Sequence, residues 1–330
     1  MNKSKIAGIG FYVPEKVVTN ADLEKLMDTS NEWIIERTGI HERRWVDEGV
    51  GTSTLSVEAS KKAMNMAGIT AEDIDLIICA SVTSDYYFPG ISAQVQDLLG
   101  TRRVGAFDVK AACSGFIYAL SIGDQFIKTG EAETVLVIGA EVQSTALDIT
   151  TRGRDMAVLF GDGAGAAILQ PSTDDSAILS THMHMEGKKL KELWCEAPAS
   201  LHHPRVSHEM LDQGLHYPKM NGREVFRNAV KRFPEVIHEA LEANDLVLED
   251  IKLFIPHQAN LRITQMVAKR LGVGLDRVYS NIQRYGNTTA ATIPIAMTEA
   301  YEEGLFKTGD YLILAAFGSG FTWASAAIRW

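Results

Sequence analysis

One cysteine lies where its thiol could act as a nucleophile. Residues 104–109 are a short apolar run that predicts a strand, and residues 112–127 are apolar enough for a buried helix, so Cys113 falls at the turn between them. A helix N-terminus carries partial positive charge and free N–H groups, which lower a thiol pKa and stabilise an oxyanion. Free cysteine is also among the most buried residue types. Taken alone, the position favours a buried apolar cysteine.

Two polar side chains further along the chain could serve that thiol. Residues 251–255 predict a strand that ends just before His257, and Asn287 follows a later strand-like run and precedes a helix. The carboxyl ends of strands are where α/β sheets place ligands. Alone, His257 could be a structural histidine and Asn287 a turn residue. Together with Cys113 they give a nucleophile and two hydrogen-bonding groups.

The composition limits the classes of function. The 330 residues are 46% hydrophobic and 22% charged, as in a soluble globular protein with a large core. A net charge of −10 argues against nucleic-acid binding, so anionic partners need a local basic patch. Three widely spaced cysteines argue against a disulfide framework and for the cytoplasm. Cys79 lies in an apolar run and is interpreted as a core residue.

Neither a targeting signal nor a membrane span is expected. The first residues have too short an apolar stretch for a secretory signal and continue into strand-like sequence. Residues 311–328 contain no charge, but Gly318 and Gly320 divide them into two β-rich runs. We interpret them as two buried strands joined by a turn.

Three segments of the first half recur in the same order in the second. The matching pairs are 66–78 with 243–255, 127–140 with 306–316, and 163–168 with 323–328. This predicts an internal duplication with halves at 1–173 and 174–330. Alternating strands and helices predict mainly parallel sheets covered by helices, in an α/β/α/β/α layered fold. Equivalent turns of the halves can then meet at one site and give Cys113 its partners.

Other candidate sites are weaker. An inserted region at about 193–220 is rich in His, Pro and Ser, but Cys195, His202 and His203 are too loosely spaced for zinc, and no metal is expected. The glycines at 161–165 resemble a dinucleotide motif, yet a strand-like run follows them instead of a helix. Trp33 and Arg37, four residues apart, share a face if they are helical.

The motifs around the three polar positions resemble a known family. They are Asp-Val-Lys-Ala-Ala-Cys-Ser-Gly-Phe at 108–116, Pro-His-Gln-Ala-Asn at 256–260, Gly-Asn-Thr at 286–288 and Gly-Ser-Gly-Phe-Thr-Trp at 318–323. In this order they resemble the β-ketoacyl-acyl-carrier-protein synthase III family of the thiolase-like superfamily, over nearly the whole chain. The resemblance implies a thiolase-like fold and a homodimer.

The resemblance also implies a decarboxylative Claisen condensation that starts type II fatty acid synthesis without a cofactor. Cys113 would take the acyl group of an acyl-CoA, with the N–H groups of Cys113 and Ser319 holding the oxyanion. His257 and Asn287 would donate hydrogen bonds to the thioester oxygen of malonyl-acyl-carrier protein. Phe317 would crowd its carboxylate and favour the loss of CO2. The product is a 3-ketoacyl-carrier protein.

Binding residues follow from the same resemblance. Those that match the family's CoA site are Thr29, Trp33, Arg37, Arg152, Phe226, Ala259 and Asn260. An acidic carrier protein needs a local cationic surface, and the candidates, each of which could also be a solvated charge, are Arg262, Lys269, Arg270, Arg227 and Lys231. Phe88 resembles the residue that reaches across the family's homodimer to close the partner's acyl pocket.

Departures from the family leave the acyl donor open. Ser319 stands where the family often has glycine, which predicts a strained positive φ there. The sequence also differs from the family at Arg223, in the residues that follow Arg152, and over 193–220. All three places are near the expected substrate tunnel.

Four other interpretations make different demands on these residues. A biosynthetic thiolase would need a second cysteine in the C-terminal glycine-rich loop, and an elongating synthase would pair two histidines. A synthase-III-like acyltransferase or condensing enzyme of secondary metabolism, with a non-acetyl donor, could keep the same three residues. An inactive acyl-carrier or CoA-binding scaffold would fail to acylate Cys113.

Overall fold

Two β-sheets form the centre of the protein, which is described by a computed structural model over residues 3–330. The strands are β1 Ser4–Tyr12, β2 Val17–Thr19, β3 Glu42–Arg44, β4 Leu76–Ala80, β5 Gly105–Val109, β6 Val135–Glu141, β7 Gly163–Pro171, β8 Ala177–Met185, β9 Leu193–Trp194, β10 Lys219–Met220, β11 Ile251–Pro256, β12 Tyr311–Gly318 and β13 Thr322–Arg329. The helices are α1 Asn20–Glu24, α2 Asn31–Thr38, α3 Thr52–Ala67, α4 Ile91–Leu99, α5 Gly115–Thr129, α6 Arg154–Ala157, α7 His208–Asp212, α8 Gly222–Glu242, α9 Leu261–Leu271, α10 Ile282–Tyr285 and α11 Thr292–Glu302.

The two sheets share one strand order. The first runs β1-β7-β6-β4-β5 and the second runs β8-β13-β12-β11. Beyond β11, Phe254 makes a parallel bridge to Val278, which takes the place that β5 has in the first sheet. The order therefore agrees with an internal duplication. The predicted division at 173 and 174 falls in the connection between β7 and β8.

The sheets are mixed, so the prediction of mainly parallel sheets was wrong. In the first sheet β4 pairs parallel with β5 and β6, whereas β7 pairs antiparallel with β6 and β1. In the second sheet β13 runs antiparallel to both β12 and β8. Antiparallel neighbours need only a return connection, without a crossover helix. Only three residues separate β12 from β13, which confirms the predicted pair of strands over 311–328.

Apolar side chains divide the molecule into five layers. Helices α5 and α11 lie between the sheets, where Phe116 and Leu120 of α5 share a core with Ile293 and Met297 of α11. Helices α3 and α4 cover the outer face of the first sheet, and α8 and α9 cover that of the second. Each helix thus buries its apolar face against a sheet. The predicted α/β/α/β/α architecture is confirmed.

The region predicted as an insertion at about 193–220 is closed by a short ribbon. Strands β9 and β10 pair through Trp194 with Lys219 and Leu193 with Met220. The connection between them contains only the short helix α7. The strand-like run predicted after the glycines at 161–165 belongs to strand β7, which begins at Gly163 and so includes two of these glycines. Across residues 3–330, no helix combines the length and the apolar character needed to cross a membrane.

Candidate active site

Cys113 lies at the predicted strand-to-helix turn. Strand β5 ends at Val109 and α5 begins at Gly115, with one turn of 3-10 helix between them. Ala112 has a φ of 45°, a left-handed conformation that is strained for a residue with a side chain. This turn holds the Cys113 thiol in a buried position, with 7% of the residue exposed.

The end of β12 comes up against Cys113. A β-carbon on Gly318 would lie 2.7 Å from Cys113 Cβ, so only glycine fits at this position. The approach brings the N–H groups of Cys113 and Ser319 to the thiol sulfur, where both favour its anion. The expected positive φ at Ser319 is wrong, because the turn takes its positive φ at Gly320. The Ser319 hydroxyl donates to the Leu193 carbonyl and ties this turn to β9.

The thiol of Cys113 is a weak acid. Burial raises its pKa to about 12, and the nearby Glu141 carboxyl contributes in the same direction. The N–H groups of Cys113 and Ser319 lower the pKa without overcoming burial. The expectation of a lowered pKa is therefore wrong for the free enzyme, because loss of hydration outweighs the helix N-terminus. At neutral pH the thiol holds its proton.

Glu141 is a site neighbour that the sequence reasoning missed. It ends β6, is fully buried, and accepts hydrogen bonds from Thr83 Oγ1 at 2.6 Å and Val82 N at 3.1 Å. Burial raises the pKa of its carboxyl to about 7, in spite of these donors. A charged residue that closes the apolar run 135–140 was the available signal.

His257 follows β11 and is 2% exposed. Its backbone N–H donates to the Ala315 carbonyl at 2.8 Å, which fixes it beside β12. Ring nitrogen Nδ1 lies 2.6 Å from Thr292 Oγ1. Burial lowers the pKa of the imidazole to about 3, so the ring is neutral at neutral pH.

Asn287 is held by its backbone and by one side-chain bond. Its N–H donates to the Leu159 carbonyl at 2.8 Å, and its carbonyl accepts from Gly161 N at 3.1 Å. Side-chain oxygen Oδ1 accepts from Thr289 N at 2.8 Å. Because the amide oxygen is engaged, the Asn287 NH2 group is left as the free hydrogen-bonding end.

A cavity of about 150 Å³ brings these groups together. Its lining includes Cys113, His257 and Asn287, and the expected neighbour Phe317. The lining also contains three of the residues expected in the CoA site, Phe226, Ala259 and Asn260. Asn260 has a structural task as well, because its amide donates to the Arg37 carbonyl at 2.9 Å and joins the end of α2 to α9.

Two guanidinium groups pack against the ring of Trp33. The Cζ atoms of Arg37 and Arg154 each lie 4.7 Å from the centre of the Trp33 ring. The shared face predicted for Trp33 and Arg37 is confirmed. Arg154 was missed by the sequence reasoning. Thr29 lies two residues before α2, and its hydroxyl is buried without a protein partner among residues 3–330.

Arg152 does not join this group. Its Nε donates to Asp148 Oδ2 at 2.5 Å, and its Cζ lies 5.6 Å from the centre of the Tyr217 ring. Arg152 and Arg154 are two residues apart at a 3-10 turn that leads into α6. Their spacing alone could not indicate which of them turns toward Trp33.

The cationic candidates lie on α8 and α9, two helices that also contribute Phe226 and Ile263 to the cavity wall. Arg227 is paired with Glu224 at 2.7 Å, and Lys231 lies 3.9 Å from Glu235. Arg270 donates to the Val230 carbonyl at 3.1 Å. Arg262 and Lys269 are exposed, and neither makes an ion pair within residues 3–330.

Phe88 is exposed, at 79%, and it lies outside the cavity lining. Tyr86 and Tyr87 beside it are 63% and 64% exposed. Within residues 3–330, no three His, Cys, Asp or Glu side chains are grouped to hold a metal ion.

The layered fold and the cavity define the class. Two like-ordered sheets that enclose two helices, with a cysteine, a histidine and an asparagine around one cavity, are typical of the thiolase-like condensing enzymes.

Comparison with known proteins gives the family. The model of 3-oxoacyl-[acyl-carrier-protein] synthase III matches residues 107–187, and that of its C-terminal part matches 241–330. Synthase III enzymes of Xanthomonas campestris and Caldanaerobacter subterraneus are each 47% identical, over 99% and 98% of this chain and 98% and 97% of their own lengths. The crystal structure of the Aquifex aeolicus synthase III is 45% identical, with a TM-score of 0.91 and coverage of 99% of this chain and 100% of that one. The chain belongs to the 3-oxoacyl-[acyl-carrier-protein] synthase III family, whose members are condensing acyltransferases.

The raised pKa of the Cys113 thiol predicts its reactivity in the free enzyme. In a Cys195→Ser background, which removes the exposed thiol, we expect alkylation of Cys113 by iodoacetamide to accelerate about tenfold per pH unit from pH 7 to 10. The rate is measured by intact mass, and the double variant Cys113→Ser, Cys195→Ser gives the background. A plateau below pH 9 would contradict the raised pKa.

The lowered pKa of His257 predicts a pH dependence of stability. Between pH 6.5 and about 3 the unfolded chain takes up a proton at His257 that the folded chain does not, so this contribution to stability is lost as the pH falls. Between pH 7 and pH 5, we expect the free energy of unfolding to fall by about 2 kcal/mol less in His257→Gln than in wild type. Urea unfolding at both pH values measures the difference. Equal losses in the two proteins would show that the histidine is not buried as a neutral ring.

Proposed function

We propose that this chain condenses an acyl-CoA with malonyl-acyl-carrier protein to give a 3-ketoacyl-carrier protein, CoA and CO2, and that Cys113, His257 and Asn287 carry out the chemistry. This reaction starts type II fatty acid synthesis. The observation that carries the proposal is that all three residues line one cavity. No cofactor has a role in it.

Acylation is the first step. The Cys113 sulfur attacks the acyl carbonyl, a new C–S bond forms, and the bond to the CoA sulfur breaks. The thiol proton leaves with CoA, which keeps the charge balanced in a site where a thiolate is unfavourable. The N–H groups of Cys113 and Ser319 hold the oxyanion, as their position at the sulfur supports.

Decarboxylation and condensation form the second step. The malonyl thioester oxygen accepts hydrogen bonds from His257 and Asn287, so the electron pair released with CO2 is held as an enolate. Phe317, which is 3% exposed in the wall, presents an apolar surface that favours uncharged CO2 over a carboxylate. The carbanion then attacks the carbonyl carbon of the Cys113 thioester, so that a C–C bond forms and the C–S bond to Cys113 breaks. The released thiolate takes up a proton from solvent.

The CoA nucleotide is assigned to the surface around Trp33. An adenine ring can stack on an indole, and a guanidinium can pair with phosphate. Arg37 and Arg154 both lie close enough to Trp33 to combine these contacts, and the partnerless Thr29 hydroxyl is a further donor. The side chain of Arg152 is 57% exposed, and its contact with an outer phosphate of CoA stays a prediction.

Malonyl-acyl-carrier protein is assigned to the exposed face of α8 and α9. Its acidic surface would meet Arg262 and Lys269, which make no ion pair within residues 3–330, and then Arg227, Lys231 and Arg270. Both helices border the cavity, so a docked carrier would deliver its thioester beside His257.

A homodimer is the proposed assembly, and the exposure of Phe88 supports a role for this residue in a partner's acyl pocket. The three free cysteines suit a reducing compartment such as the cytoplasm.

Asn287→Asp separates the two steps. The carboxylate cannot donate a hydrogen bond, so we expect decarboxylation of malonyl-carrier protein to fall about 100-fold while Cys113 still acylates. Intact mass after incubation with acyl-CoAs of graded length measures acylation, with Cys113→Ser as the control. Unchanged malonyl consumption would remove Asn287 from the mechanism, and label on Cys195 would move the nucleophile.

The contacts around Trp33 predict the effect of the two arginines. We expect Arg154→Ala and Trp33→Ala to raise KM for acyl-CoA about 3- to 30-fold with little change in kcat, because a stacked cationic contact is lost. Arg152→Ala, two residues away, is the matched control and should change KM less. A larger effect of Arg152→Ala would assign the main arginine contact to that residue instead.

A further inference from the structure

The hydroxyl of Thr292 lies between two groups that could take its single hydrogen. His257 Nδ1 is 2.6 Å from Thr292 Oγ1, and the Thr289 carbonyl oxygen is 3.0 Å away. His257 and Thr292 are each 2% exposed, and Thr289 is 3% exposed. Solvent therefore does not compete for these bonds, and the direction of the hydroxyl decides which His257 nitrogen holds the proton.

The distances favour donation from Thr292 to His257. Hydrogen bonds donated by a hydroxyl are shorter than those donated by an N–H group, whose usual lower limit is about 2.7 Å. The 2.6 Å contact thus fits O–H···Nδ1 better than Nδ1–H···O. The 3.0 Å contact to Thr289 is long for a hydroxyl donor.

The Thr289 carbonyl does not depend on this hydroxyl. It already accepts the backbone N–H of Thr292, at the end of the 3-10 turn Thr289–Ala291. His257 Nδ1 has no other hydrogen-bond partner in the described residues, and a buried nitrogen without one is unfavourable. Thr292 Oγ1 is therefore the partner that satisfies His257 Nδ1, and the two distances favour the hydroxyl as the donor.

From this geometry we propose that Thr292 is a positioning residue for the condensation: its hydroxyl donates to His257 Nδ1 and so keeps the imidazole proton on Nε2. Since Nδ1 is turned toward Thr292, Nε2 is the nitrogen on the opposite side of the ring from that contact, and His257 lines the cavity. The neutral ring, whose pKa burial lowers, then acts as a donor without becoming charged. This rests on the proposed function.

The turn that carries Thr292 also orients Asn287. Thr289 N donates to Asn287 Oδ1 at 2.8 Å, and Gln143 Nε2 donates to Thr289 Oγ1 at 2.7 Å. Thr289 has a φ of 51°, a conformation that these bonds hold in place. One turn, residues 287–292, therefore prepares both N–H donors for the same thioester oxygen.

The inference predicts an effect on one half-reaction only. Thr292→Val keeps the shape of the side chain and removes its hydroxyl, and Thr292→Ser keeps the hydroxyl. We expect Thr292→Val to lower CO2 release from malonyl-carrier protein about 10- to 100-fold and to leave Cys113 acylation within about threefold of wild type. Thr292→Ser should restore CO2 release to within about threefold.

A spectroscopic measurement reports the proton directly. In ¹⁵N-histidine-labelled enzyme, with His257→Gln used to assign the signals, we expect wild type and Thr292→Ser to show a protonated Nε2 and a bare Nδ1. Thr292→Val should lose this single tautomer, while its thermal midpoint shows that it is folded.

Either of two results would overturn the inference: wild-type CO2 release in Thr292→Val, or a proton on Nδ1 in the wild-type spectrum. His257→Gln distinguishes this failure from a failure of the proposed function. If His257→Gln loses CO2 release and Thr292→Val does not, only the role of Thr292 is wrong. If neither variant changes CO2 release, the role of His257 is wrong as well.

Discussion

A backbone contact between the two halves holds the site together. Gly318 ends a strand of the second sheet, and Cys113 follows a strand of the first, yet a β-carbon on Gly318 would lie 2.7 Å from that of Cys113. Two backbone segments approach this closely only where a residue of one segment lacks a side chain. The contact allows the N–H of Ser319 to reach the sulfur. It also requires α5 and α11 to pack between the sheets, because these helices set the distance between them.

Burial gives this site its chemical character. Loss of hydration raises the pKa of the Cys113 thiol to about 12 and lowers that of His257 to about 3, so both side chains are neutral. A neutral site suits a reaction in which charge appears only on the oxyanion and on the enolate. Fixed N–H donors stabilise such charge more strongly in a dry cavity than in water, because they need no reorientation. Weak acidity at Cys113 is thus compatible with catalysis.

The sequence predicted what depends on local pattern, and it missed what depends on contacts between distant residues. Strand-to-helix turns at Cys113 and the strand pair in 311–328 follow from apolar runs and glycines. The antiparallel strands were missed because a strand-like run does not state its direction. Arg154 was missed because its partner Trp33 is 121 positions earlier in the chain. No sequence pattern around Thr292 indicates its role, because that role depends on the contact with His257, which is distant in the sequence.

Strand β5, which leads to Cys113, also fixes the exposed loop that contains Tyr86, Tyr87 and Phe88. Asp108, on β5, accepts the N–H groups of Ile91 at 2.8 Å and Ser92 at 3.0 Å, at the start of α4. A β-carbon on Gly90 would lie 2.1 Å from Asp108 Oδ2, so the chain entering α4 is pressed against this carboxylate. Phe88 lies two residues before Gly90. If Phe88 closes a partner's acyl pocket, as we propose, then β5 positions the nucleophile of one subunit and the pocket of the other. In that arrangement Asp108 would act on both subunits through the start of α4, without belonging to the cavity lining itself.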